Sequence, residues 1–342
     1  MTVKRLTLRA FSRYGVSSMS AMRDFRSPWW LPGGHPQTIW PALAAGPRLD
    51  DSPLYARERW RAPDGDFIDV DHVPAAAGAA WLVLFHGLES GSMSRYAVAF
   101  AQAARSRGWN FVVPHFRGCS GELNLAPRSY HSGDFDEIGW MLGRIRQIAG
   151  APVLAVGVSL GGNVLLRWAE EAGNTAAATV RALAAVSAPL DLVAAGAAID
   201  TGLNRIIYAR MFLATMKPRA LAKWQQYPGL FDRERLIAAR TLHDFDECFT
   251  APLHGFADAD DYKRRASSKP HLAAIRVPAL LLNARNDPLV PGSSLPRPAE
   301  VGAHVTLWQP HDGGHVGFVS GRFPGHVRTM PEAVCDWLAQ AG

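Results

Sequence analysis

Three residues far apart in the chain have side chains suited to acyl transfer: Ser159, Asp287 and His315. Ser159 stands in Gly157-Val158-Ser159-Leu160-Gly161. Before it runs Val153-Leu154-Ala155-Val156, and after it Leu160, Val164, Leu165 and Trp168 recur at helical spacing. A sharp strand-to-helix turn leaves no room for side chains at 157 and 161. It also holds the hydroxyl at the strand's carboxyl end, with helix amides behind it that favour negative charge. A serine becomes a nucleophile only beside a base. His315, in His311-Asp312-Gly313-Gly314-His315-Val316-Gly317, can take that proton near neutral pH and return it to a leaving group. His311 competes for the role. Two histidines four apart would also bind metal from one helical face, but Gly313-Gly314 between them opposes a helix. Asp287 follows the apolar run Leu280-Leu281-Leu282, where it would hold the imidazole tautomer and stabilise imidazolium. A turn-forming aspartate before Pro288 reads the same way.

The oxyanion of an acyl-transfer intermediate needs backbone N–H donors. Leu160, next to the nucleophile, supplies one. Leu88, in His86-Gly87-Leu88-Glu89-Ser90-Gly91 after the apolar run Trp81-Leu82-Val83-Leu84-Phe85, supplies the other. His86 is read as structural, its ring tying that loop down. His35 lies in a Trp-, Pro- and Gly-rich stretch over 27–40 that reads as irregular, its aromatic residues packing as a clasp. The His35 ring either caps backbone there or faces a cleft.

Positioning these groups requires a sheet. Residues 55–73 read as a hairpin turning at Asp64-Gly65. From Trp81 onward strands and helices alternate: helix 94–107, strand 110–114, helix 134–149, strand 153–157, helix 160–172, strand 181–186, strands 278–283 and 304–309, and a closing helix 324–340. Strands without polar alternation are buried on both faces, so the pattern predicts an α/β fold. Its sheet is mostly parallel and wrapped by helices, with an antiparallel hairpin at one edge. Between 190 and 272 the rhythm stops, and helical patterns over 196–215, 218–227 and 232–242 predict a helical cap inserted above the site. The expected organisation is a basic, flexible tail over 1–26, a core over 27–189 and 273–342, and the cap over 190–272.

Composition narrows the function. The 342 residues are 48% hydrophobic and 19% charged. No apolar run reaches the roughly 18 residues of a membrane span. The net charge of +6 sits mostly in residues 1–26, where six cations face Asp24 alone; +1 remains for the rest, too little for a nucleic-acid stripe. That Arg- and Ser-rich tail resembles an organelle transit peptide, and equally an unstructured leader or an overlong start with Met19 and Met22 just inside it. The three cysteines, Cys119, Cys248 and Cys335, lack C-x-x-C spacing. They fit a reducing cytoplasm and neither a disulfide framework nor a zinc site.

The order Ser159, Asp287, His315 is that of α/β hydrolases, and the chain resembles their YheT-like branch, which includes eukaryotic α/β-hydrolase-domain lipases. The resemblance is carried by Gly34-His35-Pro36-Gln37-Thr38, Phe85-His86-Gly87-Leu88-Glu89, Tyr130-His131-Ser132-Gly133, Gly157 to Asn163, Thr250 to Phe256, Asn283 to Pro288 and Gly313 to Gly317. It implies carboxylic-ester hydrolysis with Ser159, Asp287 and His315 as triad. His131 and Asp136 form the H-x-x-x-x-D spacing associated in the family with acyltransferase activity; Asp134 or Asp136 at a helix start reads equally as favouring its N-terminus. Eukaryotic members carry an N-terminal membrane anchor, and none is expected here. The expected protein is a cytoplasmic serine esterase, monomeric or weakly dimeric, that acts on short- to medium-chain acyl esters without metal or organic cofactor. His35, His86 and His131 are its candidate substrate-binding or support residues. Two alternatives remain: an acyltransferase or a phospholipid- or lysophospholipid-handling lipase on the same triad, and a hydrolase-fold binding protein without catalysis.

Overall fold

The computed structural model describes residues 18–45 and 53–342. Eight strands form one sheet: β1 (Ala56–Arg61), β2 (Phe67–Val73), β3 (Trp81–Phe85), β4 (Asn110–Pro114), β5 (Val153–Val158), β6 (Val180–Val186), β7 (Ala279–Leu282) and β8 (Val305–Trp308). They are ordered β1-β2-β4-β3-β5-β6-β7-β8. β1 and β2 form the expected antiparallel edge, and every pairing from β4 to β8 is parallel.

The central strands are apolar on both faces because each face meets helices. Val83, Phe85, Ala155, Leu183 and Leu281 point into one core with α3 (Phe135–Ala149) and α4 (Leu160–Ala172). Leu82, Leu84, Val156, Ala184 and Leu282 point into the other with α2 (Arg95–Ser106) and α10 (Thr329–Ala341). The period of two along each strand divides one apolar run between two cores. Residues between β6 and β7 contain no strand. They form α5 (Leu192–Ile199), α6 (Arg210–Gln226), α7 (Arg233–Ala238), α8 (Leu242–Phe245) and α9 (Ala259–Ala266), with a small core of their own around Leu213, Phe231, Leu236, Phe245 and Phe249.

Four expectations are corrected. Gly34–Trp40 is a helix, α1, rather than irregular: Pro36 falls in its first turn, where a missing N–H loses no intrahelical bond. α6 runs through Pro218 instead of breaking there, at the cost of one such bond. The closing helix begins at Thr329, because residues 320–326 form a turn bridged between Ser320 and His326. The body of the fold also starts earlier than residue 27. Residues 18–23 are helical, and Met22 and Phe25 are buried in the second core. Most of the expected tail, residues 1–17, lies outside the described residues.

Among the described residues no helix is long and apolar enough to cross a membrane. Nor does any group of three or more His, Cys, Asp or Glu side chains have the geometry to hold a metal ion. The three cysteines are unpaired.

Candidate active site

Ser159 leaves β5 with φ 54° and ψ −122°, a conformation that side-chain-bearing residues rarely adopt. The turn is tight enough to exclude side chains on both flanks. A Cβ at Gly157 would come 2.3 Å from the Gly161 carbonyl oxygen, and one at Gly161 would come 2.3 Å from that of Phe85. Backbone bonds hold the strain: the Ser159 N–H donates to Val186 O at 2.8 Å, and Ser159 O accepts from the Gly162 and Asn163 amides. The hydroxyl does not cap α4 and is left for another partner.

That partner is His315. Ser159 Oγ lies 2.9 Å from His315 Nε2, and His315 Nδ1 lies 2.8 Å from Asp287 Oδ2. The other Asp287 oxygen, Oδ1, accepts from the Leu289 and Val290 amides at 2.8 and 3.2 Å. The two readings of Asp287 therefore describe two oxygens of one carboxylate: one turns the chain and one faces the imidazole. An Nδ1–H donated to Asp287 leaves Nε2 as an acceptor aimed at the serine hydroxyl, the tautomer that proton abstraction needs. His311 stands apart, mostly exposed, with Nδ1 on Asp312 Oδ1 at 2.8 Å.

The His315 loop is itself strained, with Val316 at φ 64° and Phe318 at φ 44°. Several distant groups fasten it. Gln37 Oε1 accepts the Gly313 N–H at 2.8 Å, Asn286 Oδ1 the Gly314 N–H at 3.0 Å, Thr38 Oγ1 the His315 N–H at 2.9 Å, and Ser187 Oγ the Val316 N–H at 3.1 Å. Contact between α1 and this loop is close: a Cβ at Gly317 would meet Gln37 O at 2.0 Å. No local sequence pattern marks Gln37, Thr38, Asn286 or Ser187 for this fastening role. Gln37 and Thr38 belong to the Gly34–Thr38 motif, whose sequence signal was visible without its role.

Leu88 and Leu160 border the cavity beside Ser159. Leu160 is the first residue of α4, so its N–H has no intrahelical acceptor. The loop after β3 approaches the nucleophile closely enough that a Cβ at Gly87 would lie 3.3 Å from Ser159 Cβ. His86 supports this loop from beneath: Nδ1–H donates to Gly87 O at 2.8 Å, and Nε2 accepts the Phe116 N–H at 3.1 Å. Burial, with nearby His115, pushes its pKa down to about 3, so the ring is neutral as this pattern requires. Tyr96 OH accepts the Gly87 N–H at 2.8 Å.

The cavity runs from Ser159 and His315 under the helical segment, walled by Leu192, Ile199, Phe212, Met216 and Phe249. His131 lines it, with its ring 4.4 Å from that of His254 and its Nδ1 accepting the Gly133 N–H. Burial, then Arg128, brings its pKa down to about 3. Asp136 is exposed in the first turn of α3, where it favours the helix N-terminus. His35 does neither thing expected of it: its ring stacks on Tyr208, Nδ1 lies 3.1 Å from the Tyr208 hydroxyl, and it is outside the cavity wall. Tyr208 comes from the helical segment, a partner no local pattern around His35 could disclose.

Comparisons with known proteins agree with this architecture. The family model described as the alpha/beta hydrolase fold matches residues 80–321. YheT of Escherichia coli (strain K12) is 37% identical over 310 residues, covering 89% of each chain. Human phospholipase ABHD3 is 27% identical over 345 residues, covering 97% of this chain and 82% of that protein. Among solved structures, Est1E from Butyrivibrio proteoclasticus superposes with a TM-score of 0.53 at 14% identity, covering 83% of this chain and 98% of the other.

Proposed function

The chain belongs to the α/β-hydrolase family, in its YheT-like branch, and from that premise we propose that it is a serine carboxylic ester hydrolase. It cleaves short- to medium-chain acyl esters through an acyl-enzyme on Ser159. The observation that carries the reading is the unbroken line of hydrogen bonds Ser159 Oγ, His315, Asp287 at 2.9 and 2.8 Å. YheT bears an esterase name, in keeping with this chemistry.

In the first half-reaction Ser159 Oγ attacks the ester carbonyl as its proton passes to His315 Nε2, while Asp287 stabilises the imidazolium. The carbonyl oxygen becomes an oxyanion that the Leu88 and Leu160 amides receive. Collapse breaks the bond to the alkoxy oxygen, which leaves with the proton from Nε2 and yields the acyl-enzyme. Water then adds to the acyl carbon by the same route in reverse, giving the carboxylic acid and free Ser159. Each backbone donor of such a hole contributes about 2.7 to 4 kcal/mol at the transition state.

The segment 190–272 acts as the cap, and its aliphatic and aromatic wall suits an apolar acyl chain. A reducing compartment such as the cytoplasm suits the three unpaired thiols. A second reading, a phospholipid as the ester source, draws on the similarity to phospholipase ABHD3 along 97% of this chain. The experiment is labelling by an alkyl fluorophosphonate with identification of the modified peptide, followed by rates on p-nitrophenyl esters from acetate to palmitate and on phosphatidylcholine. Labelling at Ser159, lost in Ser159→Ala, with the highest kcat/KM on acyl chains below palmitate is expected. Folded protein that neither labels nor turns over any ester would overturn the assignment.

A further inference from the structure

Glu89 follows Leu88 directly and adopts φ 55°. Its carboxylate oxygen Oε1 accepts the Tyr130 O–H at 2.8 Å and an Arg219 N–H at 2.8 Å, while its own amide donates to the Tyr130 hydroxyl oxygen at 3.0 Å. The second oxygen, Oε2, is buried with no hydrogen-bond partner, so the carboxylate is anchored through Oε1 alone. Arg219 reaches this point from α6, and the same Nη1 lies 3.1 Å from Cys119 Sγ. Four and seven residues after Phe212, Met216 and Arg219 lie on the same face of α6, and all three border the cavity that contains Ser159.

One helix face thus touches both the apolar cavity and the residue next to a proposed oxyanion donor. We propose that Arg219 is a positioning residue that makes the oxyanion loop respond to occupancy of the acyl cavity. An acyl chain packed against Phe212 and Met216 settles α6, and the Arg219–Glu89 pair then holds the loop so that the Leu88 amide faces the oxyanion. The chemistry supports such sensitivity. Glu89 sits in a backbone region that relaxes unless surrounding contacts hold it. Misplacing a catalytic group by about 1 Å lowers rates roughly 100-fold. The inference rests on the serine-hydrolase reading above and adds a specific role for the cap.

The experiment begins with fluorophosphonate titration of the wild-type protein; absence of labelling there would overturn the parent reading itself. On protein that labels, kcat and KM are measured for p-nitrophenyl esters of increasing acyl length in wild type, Arg219→Met, Arg219→Lys and Glu89→Gln, with thermal midpoints recorded beside them. In wild type kcat rises with chain length until the cavity is filled. In Arg219→Met that rise is lost and kcat on the longer esters falls roughly 10- to 100-fold, with KM little changed. Glu89→Gln behaves alike, and Arg219→Lys restores part of the rise. An unchanged kcat profile in Arg219→Met, or a loss confined to KM, overturns the proposal. So does a kcat loss that Arg219→Lys shares in full while its thermal midpoint falls by the same amount, since that is the mark of a purely structural residue.

Discussion

The side-chain carbonyl of Gln37 accepts the backbone N–H of Gly313 at 2.8 Å, across 276 positions of sequence. The same oxygen takes the Asn286 Nδ2–H at 2.9 Å, and the Gln37 amide nitrogen donates to Leu31 O and Ser27 Oγ. One buried side chain therefore ties the segment before β1 to the loops after β7 and β8, which carry Asp287 and His315.

Replacing Gln37 with Met keeps the volume and removes these bonds. The buried Gly313 N–H is then left without an acceptor, at a cost of about 1–3 kcal/mol, while the Asn286 amide keeps only its long contact to Asp312 Oδ1 at 3.5 Å. Urea unfolding should show that loss, and ester kinetics should show kcat falling more than KM, because His315 loses alignment while the cavity wall is untouched.

Asp287→Asn should separate the two duties of this carboxylate. An asparagine oriented to keep its carbonyl on the Leu289 and Val290 amides turns NH2 toward His315 Nδ1. The ring then takes the tautomer that cannot accept from Ser159. A kcat loss on the order of 10⁴-fold is expected, with a circular dichroism spectrum and unfolding midpoint close to wild type. A loss of less than tenfold would show that Asp287 only shapes its turn.

What the chain discloses in advance follows the range of each interaction. The elbow is legible because the close approach of Gly157 to Gly161 is local, and strand and helix signals flank Ser159 within a few residues. Asp287 and His315 are legible because each follows a strand whose apolar run is plain, and parallel topology carries those strand ends to one edge. The clamp by Gln37 and Thr38 is not legible, since nothing near residue 37 points to residues 313 and 315. The same holds for His35, whose partner Tyr208 lies on the helical segment. Pro218 misleads in the opposite way, because packing of α6 outweighs one lost backbone bond.

Met22 shows where reading charge alone goes wrong. Residues 1–26 look like a basic tail, yet Met22 is fully buried with Phe25, which packs edge-on against Phe318 at 5.6 Å. Met22→Ala should cost about 2–5 kcal/mol, read as a lower urea midpoint. Removal of residues 1–26 should therefore destabilise the protein, where removal of a free tail would not.

Asp246 supplies a pH signature. It borders the cavity, and burial drives its pKa up to about 7, against opposing contributions from Lys263 and from the Thr250 hydroxyl that donates to it at 2.8 Å. In the unfolded chain the carboxyl ionises near its ordinary value of about 3.9. Between these limits the folded protein keeps a proton that the unfolded chain has released, so this group makes stability fall as pH rises from about 4 to about 7. Asp246→Asn removes the titration. Urea midpoints of wild type and variant measured across that range should differ increasingly in the variant's favour toward pH 7. A difference that stays constant with pH would mean that Asp246 is ionised in the fold at low pH as well, with Lys263 outweighing its burial.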